Sequence, residues 1–468
     1  MTQRVSQTTP PFISQSERVL TAFSHDWSQH VTMPPRAVAQ PHSLDELRAC
    51  FDYCAEHGLK ASLHGAGQSF MGQSLCRDGM VIDLGKLVLD DYPLAFAQDC
   101  VAVPANMRLW DLAKQLQRRG VRLPVYTTAT QATVGGTLSA GGVSGRSYTR
   151  GLLANSVQAL TLLATDGTLW QCDTLNNPDI FAHALPALGS AGVILQAKIK
   201  IEVLHPIRVQ LKLDAVPVAA LSELSVHFSN SAGEAATCRE YTTDITSAEG
   251  FLDLSGPALR AQLFLTMESA SLADTPRQRA NWQVLANSLP YSQQLRLFSI
   301  ASQMGFSESI GGWRASLRNL QLGLLNHPLS VFALPVSVML PLTQAELCLA
   351  DIRRCIGGNE RLIPRPPYFA LIETMSASTF EWLRLSATER YVMGIDFVLT
   401  YRTADKAAAL RLAQDIAACV ANHRGRLYLC AYLPDTPLLT RLLPAISTSR
   451  ETALRRLDPG QLLKQIGT

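Results

Sequence analysis

The residues of this chain best placed to do chemistry lie in two glycine-rich blocks. The first reads Gly65-Ala66-Gly67-Gln68-Ser69-Phe70-Met71-Gly72-Gln73. The second reads Thr133-Val134-Gly135-Gly136-Thr137-Leu138-Ser139-Ala140-Gly141-Gly142-Val143-Ser144-Gly145. Turns of this composition expose backbone N–H groups without side-chain obstruction, so they can surround a pyrophosphate without a basic residue. Two better-known phosphate signatures do not fit. A Rossmann turn needs a third glycine three residues after Gly67, where Phe70 stands. The P-loop spacing runs from Gly67 to Ser74, but Gln73 takes the place of its lysine, and nucleotide hydrolysis loses its main cation. Either block alone is equally well explained as a tight turn. Two blocks in one region, both carrying neutral hydrogen-bonding residues, point to a dinucleotide.

Candidate reactive groups flank the second block. Tyr126, Arg146, Tyr148 and Arg150 are close in sequence, and a tyrosine serves as a base when a cation lowers its pKa. The alternative is that Arg146 and Arg150 are solvated on a loop and Tyr148 packs. His64 reads as structural, and His327 as a turn histidine or a residue on the substrate side. Asp396 and Glu373 are charges inside apolar, strand-like runs; each must pair, face solvent or face a pocket, and Asp396 is the first acid to test. There is no G-x-S-x-G elbow and no H-E-x-x-H. His25 and His30 lack a third ligand, and the 10 cysteines are scattered, so no metal site is expected. Cys50 and Cys54 share a helix face with Phe51, which suits packing.

The elements that must position these residues are partly legible. Ser43, three residues before Glu46, predicts a helix start, with Leu44, Leu47, Cys50, Phe51 and Cys54 at helical spacing and Gly58 as the stop. A strand over Leu59 to Leu63 delivers the chain into the first block. Further strands are predicted at Met80 to Leu84 and Cys100 to Val103, and a helix over Met107 to Arg119. Asp166-Gly167 predicts a hairpin between Ser156 to Ala164 and Thr168 to Cys172. A short helix follows over Pro178 to Leu188. Ala197, Ile199, Ile201 and Val203 alternate with charged residues as one long strand. Strands are also predicted at Val331 to Met339 and Gly394 to Tyr401.

Composition bounds the function. The chain has 468 residues, 47% of them hydrophobic, which is enough to bury large cores and excludes global disorder. A formal charge of +3 from scattered Lys and Arg gives no basis for a nucleic-acid partner. No apolar run approaches the roughly 18 residues of a membrane span. Without a secretory signal at the N-terminus, the expected location is cytoplasmic, with reduced thiols. Residues 1–34 read as an arm, with ordered chain from about Pro35. A first α+β domain extends to about 206, a second to about 440, and a tail over 441–468 returns to the first.

Taken in order, LHGAGQSFMGQ, TVGGTLSAGGVSGRS, NSVQALTLLATDGTLWQCD and LGSAGVILQAKI resemble the FAD-binding domain of vanillyl-alcohol-oxidase/p-cresol-methylhydroxylase (PCMH)-type flavoproteins. The cytokinin-dehydrogenase-like branch is the most similar. His327-Pro328 and Leu457-Asp458-Pro459 resemble its HPW and YDP segments. The resemblance implies an α+β architecture: a two-subdomain PCMH-type FAD domain over 35–206 and a substrate cap over 207–440, whose antiparallel sheet is flanked by helices. It implies FAD contacts at Gly65, Ala66, Gly67, Gln68, Ser69 and Gln73. Contacts at Thr133, Gly135, Gly136, Ser139, Val143, Val193 and Tyr432 are implied as well.

Three departures qualify it. Ala66 replaces the family's arginine. Gln68 stands where the branch has the histidine that tethers the flavin, and Gln131 lies near the cysteine site of doubly tethered relatives. An amide is not a nucleophile, so FAD is expected to be held non-covalently. Thr128 stands at the place of the catalytic aspartate, and its hydroxyl has no basic pKa near neutrality. The candidate catalytic set is therefore Tyr126, Thr128, Arg146 and Tyr148. The expected activity is FAD-dependent oxidation of a C–N or C–O bond in a small molecule of specialised metabolism. The alternative is a flavin-fold protein doing non-redox chemistry or binding a partner. The sequence assigns no oligomeric state.

Overall fold

A computed structural model describes residues 9–27, 30–127, 129–205, 207–221, 245–256, 258–269, 282–286, 331–374, 389–428, 432, 434, 436–442 and 447–464. Order begins earlier than the composition predicts, with β1 (Ile13–Ser14) and α1 (Glu17–Ala22) inside the expected arm. β1 pairs with β2 (Ala37–Ala39) and so joins the first sheet. α2 (Leu44–His57) starts at Ser43, whose Oγ accepts the Glu46 N–H at 3.2 Å; Gly58, at φ +63°, ends it. The Glu46 carboxylate accepts from the His42 N–H at 2.7 Å, one residue off the reciprocal bond of a capping box. Leu47, Cys50, Phe51 and Cys54 are buried against β2, β3 (Ala61–His64) and β4 (Met80–Asp83), and the sheet order is β1-β2-β4-β3. Burial pushes the Cys54 thiol up to about 12, which keeps it protonated and apolar in behaviour.

A second sheet follows: β5 (Ala95–Phe96), β6 (Cys100–Pro104), β8 (Val157–Leu163), β9 (Leu169–Asp173) and β10 (Val193–Lys200), in the order β5-β6-β10-β8-β9. The Asp166-Gly167 hairpin joins β8 to β9. β10 begins four residues before the alternation that predicted it, and β11 (Glu202–Val203) leaves the sheet to pair with β7 (Val121–Arg122). α3 (Leu109–Gln117), α4 (Val134–Ala140), α5 (Ser147–Arg150) and α6 (Pro178–Ala184) complete this half.

Among the described residues the remainder builds an antiparallel sheet. Its strands are β12 (Ile207–Pro217), β13 (Ile245–Asp253), β14 (Arg260–Ser269), β15 (Trp282–Ala286), β16 (Val331–Pro341), β17 (Tyr368–Glu373), β18 (Tyr391–Arg402) and β19 (Arg426–Leu427). Their order is β15-β12-β14-β13-β17-β18-β16-β19. The sheet's two faces alternate with period two. Leu334, Val336, Phe369, Met393 and Phe397 pack under α7 (Leu342–Ile356) and α8 (Lys406–Asn422). Met339 and Ile372, on the other face, join the core of the second sheet. No helix among the described residues is long and apolar enough to cross a membrane.

After α9 (Thr436–Leu442) and α10 (Thr448–Leu457), the chain end lies beside the first sheet. Ala61 N–H donates to Leu462 O, and Lys464 N–H to Ala61 O, both at 2.7 Å. Asp458, 3% exposed, organises this junction: it accepts from Thr165 Oγ1 at 2.9 Å and from the N–H groups of Leu462 and Leu463 at 2.8 and 2.9 Å. Asp458→Ala strands buried donors, and we expect it to lower unfolding free energy by about 2–4 kcal/mol. Urea denaturation monitored by tryptophan fluorescence checks this; an unchanged midpoint would show that the tail docks without Asp458.

Candidate functional site

Both glycine-rich blocks and the inner face of the large sheet enclose one cavity of about 400 Å³. β3 delivers the first block. Its ends are fixed by long-range bonds: Gly72 N–H donates to Asp26 Oδ2 at 2.6 Å, and Lys464 Nζ donates to Gly72 O at 2.9 Å and Leu75 O at 3.1 Å. Met71 N–H donates to Gln73 Oε1 at 2.9 Å, and the Ser69 and Ser74 hydroxyls lie 2.6 Å apart. Within this frame, among the described residues, the N–H groups of Ala66, Gly67, Gln68 and Ser69 donate to no protein acceptor. Such groups, on a cavity wall, suit phosphate oxygens. His64 lies below the turn with its Nδ1 3.5 Å from Asp83 Oδ1 and its ring edge-on to Phe23, in a structural role.

The second block differs from its expected form as an open turn after a strand. It folds into α4, and its N–H groups are used inside the protein. Val134 N–H donates to Met107 O at 2.8 Å, Gly135 N–H to Ala105 O at 2.7 Å, and Gly136 N–H to Thr133 Oγ1 at 3.1 Å. What it offers the cavity is a surface of small residues, Gly135, Gly136, Ser139 and Ala140, followed by Gly142 and Val143. The two blocks touch: a Cβ on Gly65 would lie 2.8 Å from Thr133 Oγ1. A side chain there would force them apart.

The sheet supplies the opposite wall. Pro335, Ser337 and Met339 of β16, Tyr368, Ala370 and Ile372 of β17, and Gly394 and Asp396 of β18 face the cavity. Ser337, Asp396 and Tyr368 are cross-strand neighbours. Ser337 Oγ donates to Asp396 Oδ1 at 2.8 Å. The Tyr368 hydroxyl donates to the carboxylate of Glu249, which is 2% exposed. Asp396 thus faces a pocket; Glu373 lies off the cavity, 3.9 Å from Arg390.

The cavity lining includes Gly65, Ala66, Gly67, Gln68, Ser69, Gln73, Thr133, Gly135, Gly136, Ser139, Val143 and Val193. Tyr432 is elsewhere: its hydroxyl donates to Gln414 Oε1 at 3.0 Å. The tyrosine that reaches the cavity is Tyr428, whose oxygen accepts the Gly142 N–H at 3.0 Å. Sequence spacing had no signal for this, because β19 brings Tyr428 in from beyond α8. Trp27, Asp26 and Lys464 were missed because they too come from parts of the chain distant from the first block. Gln131 is also outside the cavity and accepts from Arg108 Nη1 at 2.8 Å.

The proposed tyrosine–arginine chemistry is not supported by the geometry. Tyr148 is buried and stacked on Tyr391 at 5.1 Å, and burial, followed by that neighbour, pushes its phenol above its ordinary value. Arg146 is buried rather than solvated, and it is not among the residues lining the cavity. It bonds to Pro124 O at 2.7 Å, Glu202 at 2.6 Å and Glu268 at 2.8 Å, and so ties the second sheet's half of the molecule to β14. Arg150 joins Glu202, and Arg122 joins Glu268. Tyr126 is half-buried away from the cavity lining. Thr128, His327, Cys238 and Cys430 lie outside the described residues. His30 meets the Tyr401 hydroxyl, and burial with Lys406 nearby lowers its pKa to about 4, so it packs as a neutral ring. Among the described residues no His, Cys, Asp and Glu cluster could hold a metal ion.

Comparison with known proteins bears on what a cavity of this kind holds. Residues 35–173 match the family described as an FAD binding domain. Cytokinin dehydrogenase 2 of Arabidopsis thaliana is 27% identical over 192 residues, 41% of this chain and 38% of that protein. L-gulonolactone oxidase of Mus musculus is 33% identical over 172 residues, covering 36% and 38%. An uncharacterized oxidoreductase, ORF5 in the fasciation locus of Rhodococcoides fascians, is 29% identical over 195 residues, covering 42% and 44%. Over this N-terminal region the chain is similar to vanillyl-alcohol-oxidase/PCMH-type FAD-linked oxidoreductases, cytokinin dehydrogenases among them. The matches span about two fifths of these relatives' lengths.

The residues present fit FAD: open amides on one wall and small residues on the next. Gly65→Val is expected to weaken FAD binding by at least about tenfold, roughly 1.4 kcal/mol. Tyr148→Phe should leave it within about twofold. Quenching of flavin fluorescence on titration into apoprotein measures both, and equal affinities for the two variants would contradict the cavity assignment.

Proposed function

We propose that this protein is an FAD-dependent oxidoreductase that oxidises a C–N or C–O bond of a small organic molecule in specialised metabolism, with its FAD held non-covalently. The observation that carries this reading is the cavity itself, with open backbone amides at one end and an apolar sheet bearing a carboxylate at the other. On this reading residues 35–206, as two subdomains, hold the cofactor, 207–440 cap it, and 441–468 close the cofactor domain. FAD, when bound, supplies a two-electron acceptor. The protein's own share is to hold and enclose: Ala66 to Ser69 offer N–H donors, α4 admits the cofactor closely, and the sheet covers the reacting region and excludes water.

Non-covalent attachment is supported by Gln68, which lines the cavity with a non-nucleophilic amide, and by Gln131, which is engaged with Arg108. Acid precipitation of purified yellow protein should leave a white pellet and a flavin-containing supernatant. Flavin that stays with the pellet overturns the non-covalent reading. Anaerobic mixing with a panel of amines and alcohols should bleach the visible flavin band for at least one donor; a yellow protein that none of them bleaches would favour non-redox chemistry.

A further inference from the structure

Among the described residues the N–H groups of Ala66 to Ser69 are left open for a ligand, so bonds to those amides do not hold the turn's shape. A turn of this kind must be fixed from outside, or ordering it costs free energy when the ligand arrives. Two charged side chains do this, and both act on Gly72. The Asp26 carboxylate accepts the Gly72 N–H at 2.6 Å, and the residue is only 7% exposed. From the other side Lys464 Nζ donates to Gly72 O at 2.9 Å and to Leu75 O at 3.1 Å. Each is a charge-assisted bond to backbone, stronger than a neutral one. Gly72 has φ +77°, and a Cβ there would lie 3.1 Å from Val31 Cγ1 and 3.3 Å from Met33 Cε. It is therefore pressed against the same arm that carries Asp26. Lys464 Nζ lies 3.6 Å from Met33 Sδ, so the two charged groups meet the turn at one place. Both anchors are fixed in turn: Met33 N–H donates to Ser24 O at 2.9 Å, and Lys464 N–H to Ala61 O at 2.7 Å. The arm also grips the block directly, where Trp27 N–H donates to Ser69 O at 3.0 Å. Asp26, Gly72 and Lys464 are not among the residues lining the cavity.

From this we infer that Asp26 and Lys464 form a two-sided clamp on Gly72 that presets the cofactor turn, so that FAD affinity depends on two positioning residues outside the cavity. The inference rests on the proposed role of the first block in holding FAD. One side of the clamp comes from 46 residues before Gly72 and the other from 392 residues after it. The turn is therefore preset only when the arm and the segment after α10 are both docked. By linkage, FAD bound at the turn stabilises that docking in return. Removing either charge frees one side of Gly72 and loosens the turn. Removing the second then costs less than it would alone, because the two act on the same residue.

The test uses the full chain and two readouts: FAD affinity from quenching of flavin fluorescence, and deuterium uptake by residues 65–75 without cofactor. Lys464→Met keeps the apolar stem and the backbone bond to Ala61 but removes the donors; Asp26→Ala removes the acceptor. Each should weaken FAD binding at least about tenfold. Each should also speed exchange over residues 65–75 by a similar factor, while the strand Met80–Asp83 keeps its protection. Lys464→Arg, which retains charge and donors, should bind FAD within about threefold of wild type. In the double variant the loss of affinity should be smaller than the product of the two single losses. Unchanged FAD affinity in both single variants, exchange over residues 65–75 that does not move, or losses that simply multiply would each overturn the clamp. Should one single variant fail to fold by circular dichroism, the other decides. Failure of wild type to take up FAD would instead sink the functional proposal, and the exchange measurement would still decide whether Asp26 and Lys464 hold the turn.

Discussion

The site depends on a close approach between two stretches of backbone. Gly65 and Thr133 meet at a distance no side chain could share, since a Cβ would stand 2.8 Å from the threonine oxygen. That contact brings the turn after β3 against the start of α4, although the two residues lie far apart in sequence. Thr133 also caps α4 with the same oxygen, accepting the Gly136 N–H. One atom therefore sets both the helix start and the distance between the cavity's walls. The opening left between them is lined by backbone and small residues. An extended, hydrogen-bonding ligand can lie there without moving side chains aside, at no cost in side-chain entropy.

Local signals were readable in the sequence, and distant ones were not. The Ser43 cap, the Gly58 stop and the Asp166-Gly167 hairpin each depend on residues within a few positions of one another, and each occurs where spacing predicts it. The second glycine block was legible as a cavity element but not as a helix. Its glycines lower helix propensity, and its helicity depends on carbonyls of Ala105 and Met107, whose approach no periodicity encodes. The first block's frame is less legible still. Asp26 holds it from one side and Lys464 from the other, the latter 392 residues from Gly72. Tyr428 took the place expected of Tyr432 because a strand register, not a motif, decides which tyrosine arrives.

Charge placement separates structure from chemistry here. Arg146 looked attractive as a cation beside Tyr148, yet it is buried among Glu202, Glu268 and the Pro124 carbonyl. A buried guanidinium needs this much compensation, which leaves it no capacity to lower a neighbour's pKa. The cluster's work is mechanical. Glu268 belongs to β14 of the large sheet, whereas Arg122, Arg146 and Glu202 belong to the cofactor half, so the network helps to hold the two halves in register.

The same register fixes the cavity's polarity. On the strands of the large sheet, odd and even residues go to opposite faces, so shifting β18 by one residue against β16 would turn Asp396 into the helix-packed core and bring an apolar neighbour to the cavity. Buried there, the carboxylate would have to be neutralised or paired, at a cost of several kcal/mol. The apolar residues on either side of Asp396 therefore do more than fill space. Ile395 and Phe397 belong to the core beneath α7 and α8, and their burial is what holds the carboxylate on the opposite face, toward the cavity.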